Sequence, residues 1–252
     1  MRGDVVYRTV VRCFAGVFAL LGLRIRVHGE HHLPTTGGAV LAINHTSYLD
    51  FALVGYAARE RGRLVRFMSK ASVFELPVVG WLMRSMRHVP VDRHSGASAF
   101  RQARRALGGG ELMGVFPEAT ISRSFRIKRL KPGAAALAQA ADVPLVPCIL
   151  WGGHRVATVD RRPSLRRGVA VTVLVGDPIV PTPEDSSVTL TARLRTAMER
   201  LLDEAVDSYP DQPRDDADLW WVPADRGGTA PDVATGDALD REALRRIGAP
   251  TD

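Results

Sequence analysis

His45 and Asp50 stand close together in the chain, between two predicted elements of secondary structure. Residues 39–43 form an apolar run that predicts a buried strand, and residues 51–57 predict a helix. Because the chain turns between them, Asp50 can reach back to one imidazole nitrogen of His45 and leave the other facing a cleft. A carboxylate placed in this way fixes the imidazole tautomer and stabilises the imidazolium that forms when a proton is taken. The pair therefore has the chemistry of a general base.

The same residues also fit a purely structural role. Ser47 and Asp50 have the spacing of a capping box, in which Ser47 caps the following helix and Asp50 folds back on the backbone. In that case Asp50 would stabilise a helix and take no part in a reaction. Considered alone, this stretch of sequence leaves both interpretations open.

Charge is unevenly distributed along the chain. The 34 Lys and Arg residues outnumber the 27 Asp and Glu residues, for a net charge of +7. Residues 211–252 hold ten acids and five arginines, so residues 1–210 carry +12. A body this basic favours an anionic partner, which could be a phosphate-bearing substrate, an anionic membrane or nucleic acid. We expect no nucleic acid, because the sequence has no recognised binding motif and no interleaving of basic and aromatic residues.

Cysteine and histidine spacing points away from disulfides and metals. Cys13 and Cys148 are far apart in the chain and lie in apolar surroundings, so we expect both to be small core side chains. A disulfide framework is not predicted, which suits a reducing cytoplasm. The seven histidines lack metal-ligand spacing, so we expect no metal site.

An apolar helix with basic residues precedes the first strand. Residues 5–22 predict this helix, with Arg8 and Arg12 on a narrow polar stripe. The uncharged run, residues 13–23, would measure about 16 Å as a helix. A bilayer core is about 30 Å thick, so this run is too short to span it. Arg24 and Arg26 stand where a signal peptide would be cleaved. We predict a membrane-interfacial helix over residues 1–23, with its arginines near lipid phosphates; an ordinary core helix is the alternative.

Strands and helices alternate through the rest of the chain, which predicts the α/β class. We expect a single domain over residues 24–209, with a mixed, largely parallel central sheet flanked by helices. The predicted strands cover residues 24–28, 39–43, 64–68, 112–116, 143–150 and 169–175, with a short strand before Asp92. The later helices are predicted at residues 77–86, 98–107, 133–141 and 188–209.

Residues 210–252 form an acidic segment that is rich in Pro and Gly. This composition predicts an extended or disordered tail. Trp220 and Trp221 are unusual in such a tail, so we expect them to dock on the domain or on the membrane.

Polar residues recur at the ends of the predicted strands, where functional groups of open α/β folds gather. Residues 44–50 match the pattern NHxxxxD in full. Three later blocks follow in order: residues 89–93 end in Asp-Arg, residues 116–120 read Phe-Pro-Glu-Ala-Thr, and residues 143–147 read Val-Pro-Leu-Val-Pro. Together they resemble the glycerolphosphate acyltransferase superfamily, and within it the 1-acylglycerol-3-phosphate acyltransferases, whose last two blocks read FPEGTR and VPIVPV. Lys70, which precedes Gly80-Trp81, fits a further feature of that family.

The resemblance implies an enzyme of phospholipid biosynthesis that moves a fatty acyl group from an acyl thioester to the free hydroxyl of lysophosphatidic acid. His45 would take the hydroxyl proton and Asp50 would orient the imidazole. The thioester is already activated, so no Ser or Cys nucleophile is needed. The resemblance implies no cofactor, with acyl-CoA or acyl carrier protein as co-substrate. It also implies a peripheral or monotopic location at the cytoplasmic face of the membrane.

The acceptor's phosphate calls for cations, and the planar fork of arginine suits it. The resemblance places that role on Arg93 and on the third block, where Glu118 and Thr120 would contact the acceptor, and Lys70 would add a cation. Three of these residues have simpler alternative roles: Arg93 pairs only with Asp92, Lys70 is a solvated surface residue, or Glu118 pairs with an arginine. A catalytically silent lipid-binding protein is a further alternative, which the intact His45 argues against.

The third block departs from the family pattern at two positions. Ala119 replaces a glycine and stiffens a turn that needs unusual backbone angles. Ile121 replaces an arginine, so one phosphate contact is missing. Either the acceptor is less anionic, such as another lysophospholipid or a polyol lipid, or Arg123 supplies the charge. We expect Arg123 to supply it.

Overall fold

A seven-stranded sheet forms the centre of the fold in the computed structural model, which describes residues 2–91 and 96–246. The strands are β1 (Arg24–His28), β2 (Ala39–Ile43), β3 (Val65–Lys70), β4 (Val89–Val91), β5 (Leu112–Val115), β6 (Leu145–Trp151) and β7 (Ala170–Val175). Their order in the sheet is β1-β7-β6-β2-β5-β3-β4. Among the described residues, each pair of neighbouring strands is parallel except β6 and β7. The predicted mixed, largely parallel sheet is confirmed.

Helices cover both faces of this sheet. They are α1 (Arg2–Leu20), α2 (Asp50–Ala58), α3 (Pro77–Ser85), α4 (Gly96–Gly108), α5 (Gly133–Ala141), α6 (Ser187–Asp207) and α7 (Val233–Arg246). Helices α4, α5 and α6 pack with one hydrophobic core, and α1 and α2 pack with the other. The predicted α/β class and the N-terminal helix are thus both present.

Strand β2 lies between β5 and β6, and all five of its residues are buried. Successive side chains of a strand point to opposite faces. Accordingly, Val40 and Ala42 join the core under α4–α6, while Leu41 and Ile43 join the core under α1 and α2. Burial on both faces explains why this strand is a continuous apolar run in the sequence. The chain leaves its carboxyl end directly into His45.

Helix α1 packs on the domain along one side only. Tyr7 and Phe18 are buried, and the Tyr7 hydroxyl donates a hydrogen bond to the Val65 carbonyl at 2.6 Å. Cys13 lies about 120° around the helix from Tyr7 and is exposed. The prediction of a core Cys13 is therefore wrong, whereas Cys148 is buried as predicted. None of the helices in the described ranges has the length and apolar character needed to cross a membrane.

Residues 210–246 are folded against the domain, so the predicted extended or disordered tail is wrong over this range. Acidic side chains of this segment pair with arginines of the body: Asp211 with Arg155, and Asp225 with Arg126. Trp221 is buried, with its ring 4.2 Å from the Arg155 guanidinium. The predicted docking of the tryptophans on the domain is confirmed. The acidic segment and the basic body therefore attract each other within one molecule.

Candidate active site

His45 and Asp50 form the predicted pair at the carboxyl end of β2. His45 Nδ1 lies 3.0 Å from Asp50 Oδ2, and the Asp50 side chain is completely buried. The same oxygen accepts hydrogen bonds from the backbone N–H groups of Thr46 and Ser47, each at 2.8 Å. A carboxylate only accepts, so Nδ1 carries the proton and Nε2 is left as the basic nitrogen. The geometry expected of a general base is present.

The alternative capping box is only half formed: Asp50 folds back on the Ser47 N–H, but Ser47 does not cap the helix. Leu49 is the N-cap residue of α2, and no side chain caps that helix end. The Ser47 hydroxyl instead donates to the Ala157 carbonyl at 2.7 Å and accepts from the Leu49 N–H at 3.0 Å. Asp50 therefore holds the turn that precedes the helix, together with the imidazole.

Two further side chains fix the position of His45. Its ring stacks on Phe116 with ring centroids 4.3 Å apart. Asn44 bridges β2 to β6, because its amide donates to the Leu150 carbonyl at 3.0 Å and accepts from the Leu150 N–H at 2.7 Å. Neither role was predicted, although both residues belong to the blocks that carry the family resemblance.

Glu118 links the loop after β5 to the loop after β2. One carboxylate oxygen accepts from the His45 N–H at 2.9 Å, and the other accepts from the Lys128 N–H at 3.0 Å. Burial raises the pKa of Glu118 to about 7, against the lowering effect of these two hydrogen bonds. The partners are backbone amides, so the alternative of an arginine pair is not what the structure shows. Glu118 braces His45 and also borders the cavity described next.

His45 opens into a cavity of about 1610 Å³. Most of its wall is apolar and comes from α1, α3, β3 and neighbouring loops, including Val11, Phe14, Phe67 and Met83. Part of the wall is polar or charged, and three of its side chains, Thr120, Lys128 and Asp240, contact one another. This part, here called the polar end, consists of the following side chains: Lys70, Thr120, Lys128, Arg129, Lys131, Asp237, Asp240 and Arg241. The cavity thus suits a molecule with a long apolar part and a charged end.

Four predicted site residues border this cavity: His45, Lys70, Glu118 and Thr120. Asp50 lies behind His45. Arg93 lies outside the described residues. Within the described part of the chain, no group of three or more His, Cys, Asp and Glu side chains is arranged to hold a metal ion.

The prediction that Arg123 adds a cation to this cavity is wrong. Arg123 borders a different pocket, of about 670 Å³, and donates to Asp160 at 2.6 Å and to Asp240. The cause is the path of the loop. Ala119 has a φ of 65°, which confirms the unusual backbone angle expected there. The Ser122 N–H then donates to the His45 carbonyl at 2.7 Å, so Thr120 and Arg123 face different pockets.

Comparisons with known proteins show which family this chain resembles. The family described as Acyltransferase matches residues 24–151. The chain is 29% identical over 174 residues to the 1-acyl-sn-glycerol-3-phosphate acyltransferase LPAT1, chloroplastic, of Arabidopsis thaliana, which covers 68% of this chain and 48% of that protein. It is 26% identical over 170 residues to the 1-acyl-sn-glycerol-3-phosphate acyltransferase of Bacillus subtilis (strain 168), which covers 66% of this chain and 80% of that protein.

A third relative and a solved structure agree with these two. A 1-acyl-sn-glycerol-3-phosphate acyltransferase of Chlamydomonas reinhardtii is 30% identical over 196 residues, covering 75% of this chain and 58% of that protein. The chain therefore spans about half the length of the two plant and algal relatives. The crystal structure of the 1-acyl-sn-glycerophosphate (LPA) acyltransferase PlsC from Thermotoga maritima has the same fold, with a TM-score of 0.67 at 22% identity over 80% of this chain and 81% of that one.

Proposed function

This chain belongs to the Acyltransferase family, and we propose that it transfers a fatty acyl group from an acyl thioester to the free hydroxyl of lysophosphatidic acid. One observation carries the proposal: His45, held by Asp50, borders a single cavity whose wall includes both apolar side chains and the polar end. An acyl chain fits the apolar wall, and a glycerol phosphate fits the polar end. The hydroxyl that joins them in the product would then lie near His45.

The reaction needs one base that later acts as an acid. His45 Nε2 takes the proton from the acceptor hydroxyl as the oxygen attacks the thioester carbonyl, and Asp50 stabilises the imidazolium. When the tetrahedral intermediate collapses, the carbon–sulfur bond breaks and the imidazolium returns the proton to the thiolate. The products are the new ester and a free thiol. The acyl group arrives activated, so this sequence of steps requires no cofactor and no covalent enzyme intermediate.

The acceptor's phosphate would be held by basic side chains at the polar end. Lys70 and Arg129 are exposed there, and the family resemblance adds Arg93. The absence of a charge at Ile121, together with the position of Arg123, favours a second candidate in which the acceptor is another lysophospholipid or a polyol lipid. Both acyl-CoA and acyl carrier protein fit as donors, because the chemistry requires only a thioester.

We also propose that the protein binds the cytoplasmic face of an anionic membrane through α1 and α3. These two helices pack against each other and expose a set of large apolar side chains. Val78 and Trp81 of α3 are 70% and 56% exposed, and Leu20 of α1 is 70% exposed. Arg8 and Arg12 are exposed on the same α1 helix. Because α1 and α3 also form the apolar wall of the cavity, lipid could enter directly from the membrane.

A thiol-release assay tests the reaction. The purified chain is mixed with a long-chain acyl-CoA and either lysophosphatidate or a monoacylglycerol, and the freed thiol is measured. We expect turnover with lysophosphatidate, and a loss of about 10²–10⁴-fold in His45→Ala. His31→Ala is the matched control, because His31 is exposed and lies outside the cavity. Full turnover in His45→Ala would remove the base from the mechanism, and release with monoacylglycerol alone would favour the second candidate.

A further inference from the structure

Helix α7 lies outside the family match at residues 24–151, yet it forms part of the cavity wall. Three of its side chains border the polar end: Asp237, Asp240 and Arg241. Their spacing of three and four residues places them on one face of the helix. The C-terminal segment therefore contributes charged groups to the same space as His45.

Asp240 anchors α7 to the third block. Its side chain is buried, and it accepts hydrogen bonds from Lys128 Nζ and from Arg123 Nη1. The Thr120 hydroxyl lies 3.4 Å from the same carboxylate. Gly236, one turn earlier, packs so closely that a Cβ there would lie 3.3 Å from the Ser124 nitrogen. The helix is thus fixed directly beside the loop that carries Glu118.

Because Asp240 pairs with basic side chains, it limits which of them can bind a ligand. Asp240 pairs with Lys128, and Arg123 is turned into the other pocket. Arg241, by contrast, is exposed, and no carboxylate in residues 2–91 or 96–246 pairs with its guanidinium. Arg241 borders the same cavity as Thr120 and Lys128. Arg241 is therefore the α7 group that is available to a bound anion.

The charge at this end of the cavity favours an anion over a cation. The acids are Asp237, Asp240 and Glu118, of which Asp240 already pairs with Lys128 and Glu118 is buried against backbone amides. Apart from Lys128, which pairs with Asp240, the basic side chains that border the same space are Lys70, Arg129, Lys131 and Arg241. A guanidinium can bind two phosphate oxygens with parallel hydrogen bonds, which gives it both strength and selectivity.

We infer that Arg241 binds the anionic headgroup of the acceptor and makes this chain selective for a phosphomonoester lysolipid. The inference rests on the proposed function, because it assigns a role within the same cavity. It explains how the site can hold a phosphate although position 121 is an isoleucine and Arg123 points elsewhere. The charge comes from a helix near the C-terminus, held in place by Asp240.

Equilibrium binding tests this assignment without relying on turnover. Full-length wild type and Arg241→Gln are titrated with lysophosphatidate and with a monoacylglycerol of the same chain length, below the concentrations at which they form micelles. In Arg241→Gln we expect the Kd for lysophosphatidate to rise about tenfold, equivalent to about 1.4 kcal/mol, with the Kd for monoacylglycerol unchanged. Arg241→Lys should recover part of the affinity, because it restores the charge but not the planar fork.

Arg245→Gln is the matched control. Arg245 lies one turn further along α7, is exposed and does not border the cavity. Its removal should change neither Kd, and the thermal melting of all variants should match wild type. A kinetic comparison adds a second readout: Arg241→Gln should raise KM for lysophosphatidate and leave kcat unchanged.

Three results would overturn the inference: equal losses for both ligands, no loss for either, or wild-type binding that does not prefer lysophosphatidate. Failure of the proposed function looks different. Wild type that binds lysophosphatidate selectively through Arg241 but releases no thiol would refute the reaction and keep the headgroup site. Wild type that acylates lysophosphatidate but shows no Arg241 effect would refute only the headgroup site.

Discussion

Replacing Asp50 with asparagine removes the negative charge beside the proposed base and keeps the shape of the side chain. The buried Oδ2 of Asp50 accepts from His45 Nδ1 and from two backbone N–H groups. An amide oxygen can keep these three hydrogen bonds, but it carries no full charge. The new NH2 group would take the place of Oδ1, which is buried and has no hydrogen-bond partner among the described residues.

The magnitude follows from these contacts. Two unit charges 4 Å apart attract by about 4 kcal/mol at an effective dielectric constant of 20, and the nitrogen and oxygen here are 3.0 Å apart. The amide dipole keeps part of this attraction, so the imidazolium should lose about 3 kcal/mol, which lowers turnover about 10²-fold. The unsatisfied NH2 group should lower the free energy of unfolding by about 1–3 kcal/mol.

Thiol release measures kcat, and urea unfolding of the same preparations measures stability. Asp177→Asn is a matched control, because Asp177 forms a second histidine pair at 3.3 Å with His32, neither residue borders the cavity, and Asp177 is 81% exposed. It should leave kcat unchanged.

A different outcome would refute the reasoning. If Asp50→Asn lost stability but kept kcat within about twofold of wild type, a change of less than about 0.5 kcal/mol in the barrier, the carboxylate would only hold the turn at residues 46–47. The catalytic assignment would then rest on His45 alone.

Two further predictions concern Glu118 and the membrane surface. Burial raises the Glu118 pKa from 4.5 to about 7, so the folded chain binds this proton more tightly and the stability contribution is lost as pH rises from about 4.5 to 7. Glu118→Gln should flatten that fall in urea titrations, and an unchanged slope would contradict it. The double variant Val78→Ser, Trp81→Ser should bind anionic vesicles more weakly in co-sedimentation. Leu165→Ser is the control, 82% exposed outside α1 and α3; equal binding would place the membrane contact elsewhere.

Local patterns predicted most of the framework. The limits of β1, β2 and α5 agree with the prediction to the residue, because periodicity and punctuating glycines act within a few positions. Pro147 lies inside β6, although a proline cannot donate a hydrogen bond to a neighbouring strand. It sits opposite Gly176, just beyond the last residue of β7, and the Gly176 N–H still donates to the Pro147 carbonyl at 2.9 Å.

In the site, too, the contacts between neighbouring residues were predictable and those between distant residues were not. The geometry of His45 and Asp50 was predictable because both lie within one turn of chain. The Asp240–Arg123 contact joins residues 117 positions apart, and nothing in the local sequence indicates which acid meets which base. The acidic segment was misjudged for this reason: its composition is that of a disordered tail, but its partners are arginines of the folded body.

The pairing of β1 with β7 has a consequence for how the chain is made. β1 lies at the edge of the sheet, and its partner follows roughly 150 residues later. At a synthesis rate of about 5–20 residues per second, β1 waits roughly 7–30 s for that partner. An unpaired strand is a template for pairing with another chain.

The residues of β1 reduce this hazard during translation. The exposed positions of the strand are Arg24, Arg26 and His28, which alternate with two apolar residues. The two arginines repel a second copy of the same strand and discourage aggregation. In the complete fold, Arg24 pairs with Asp211 and donates to the Gly168 carbonyl at 3.0 Å. The charge of Arg24 therefore discourages aggregation of the nascent strand and also stabilises the edge of the folded sheet.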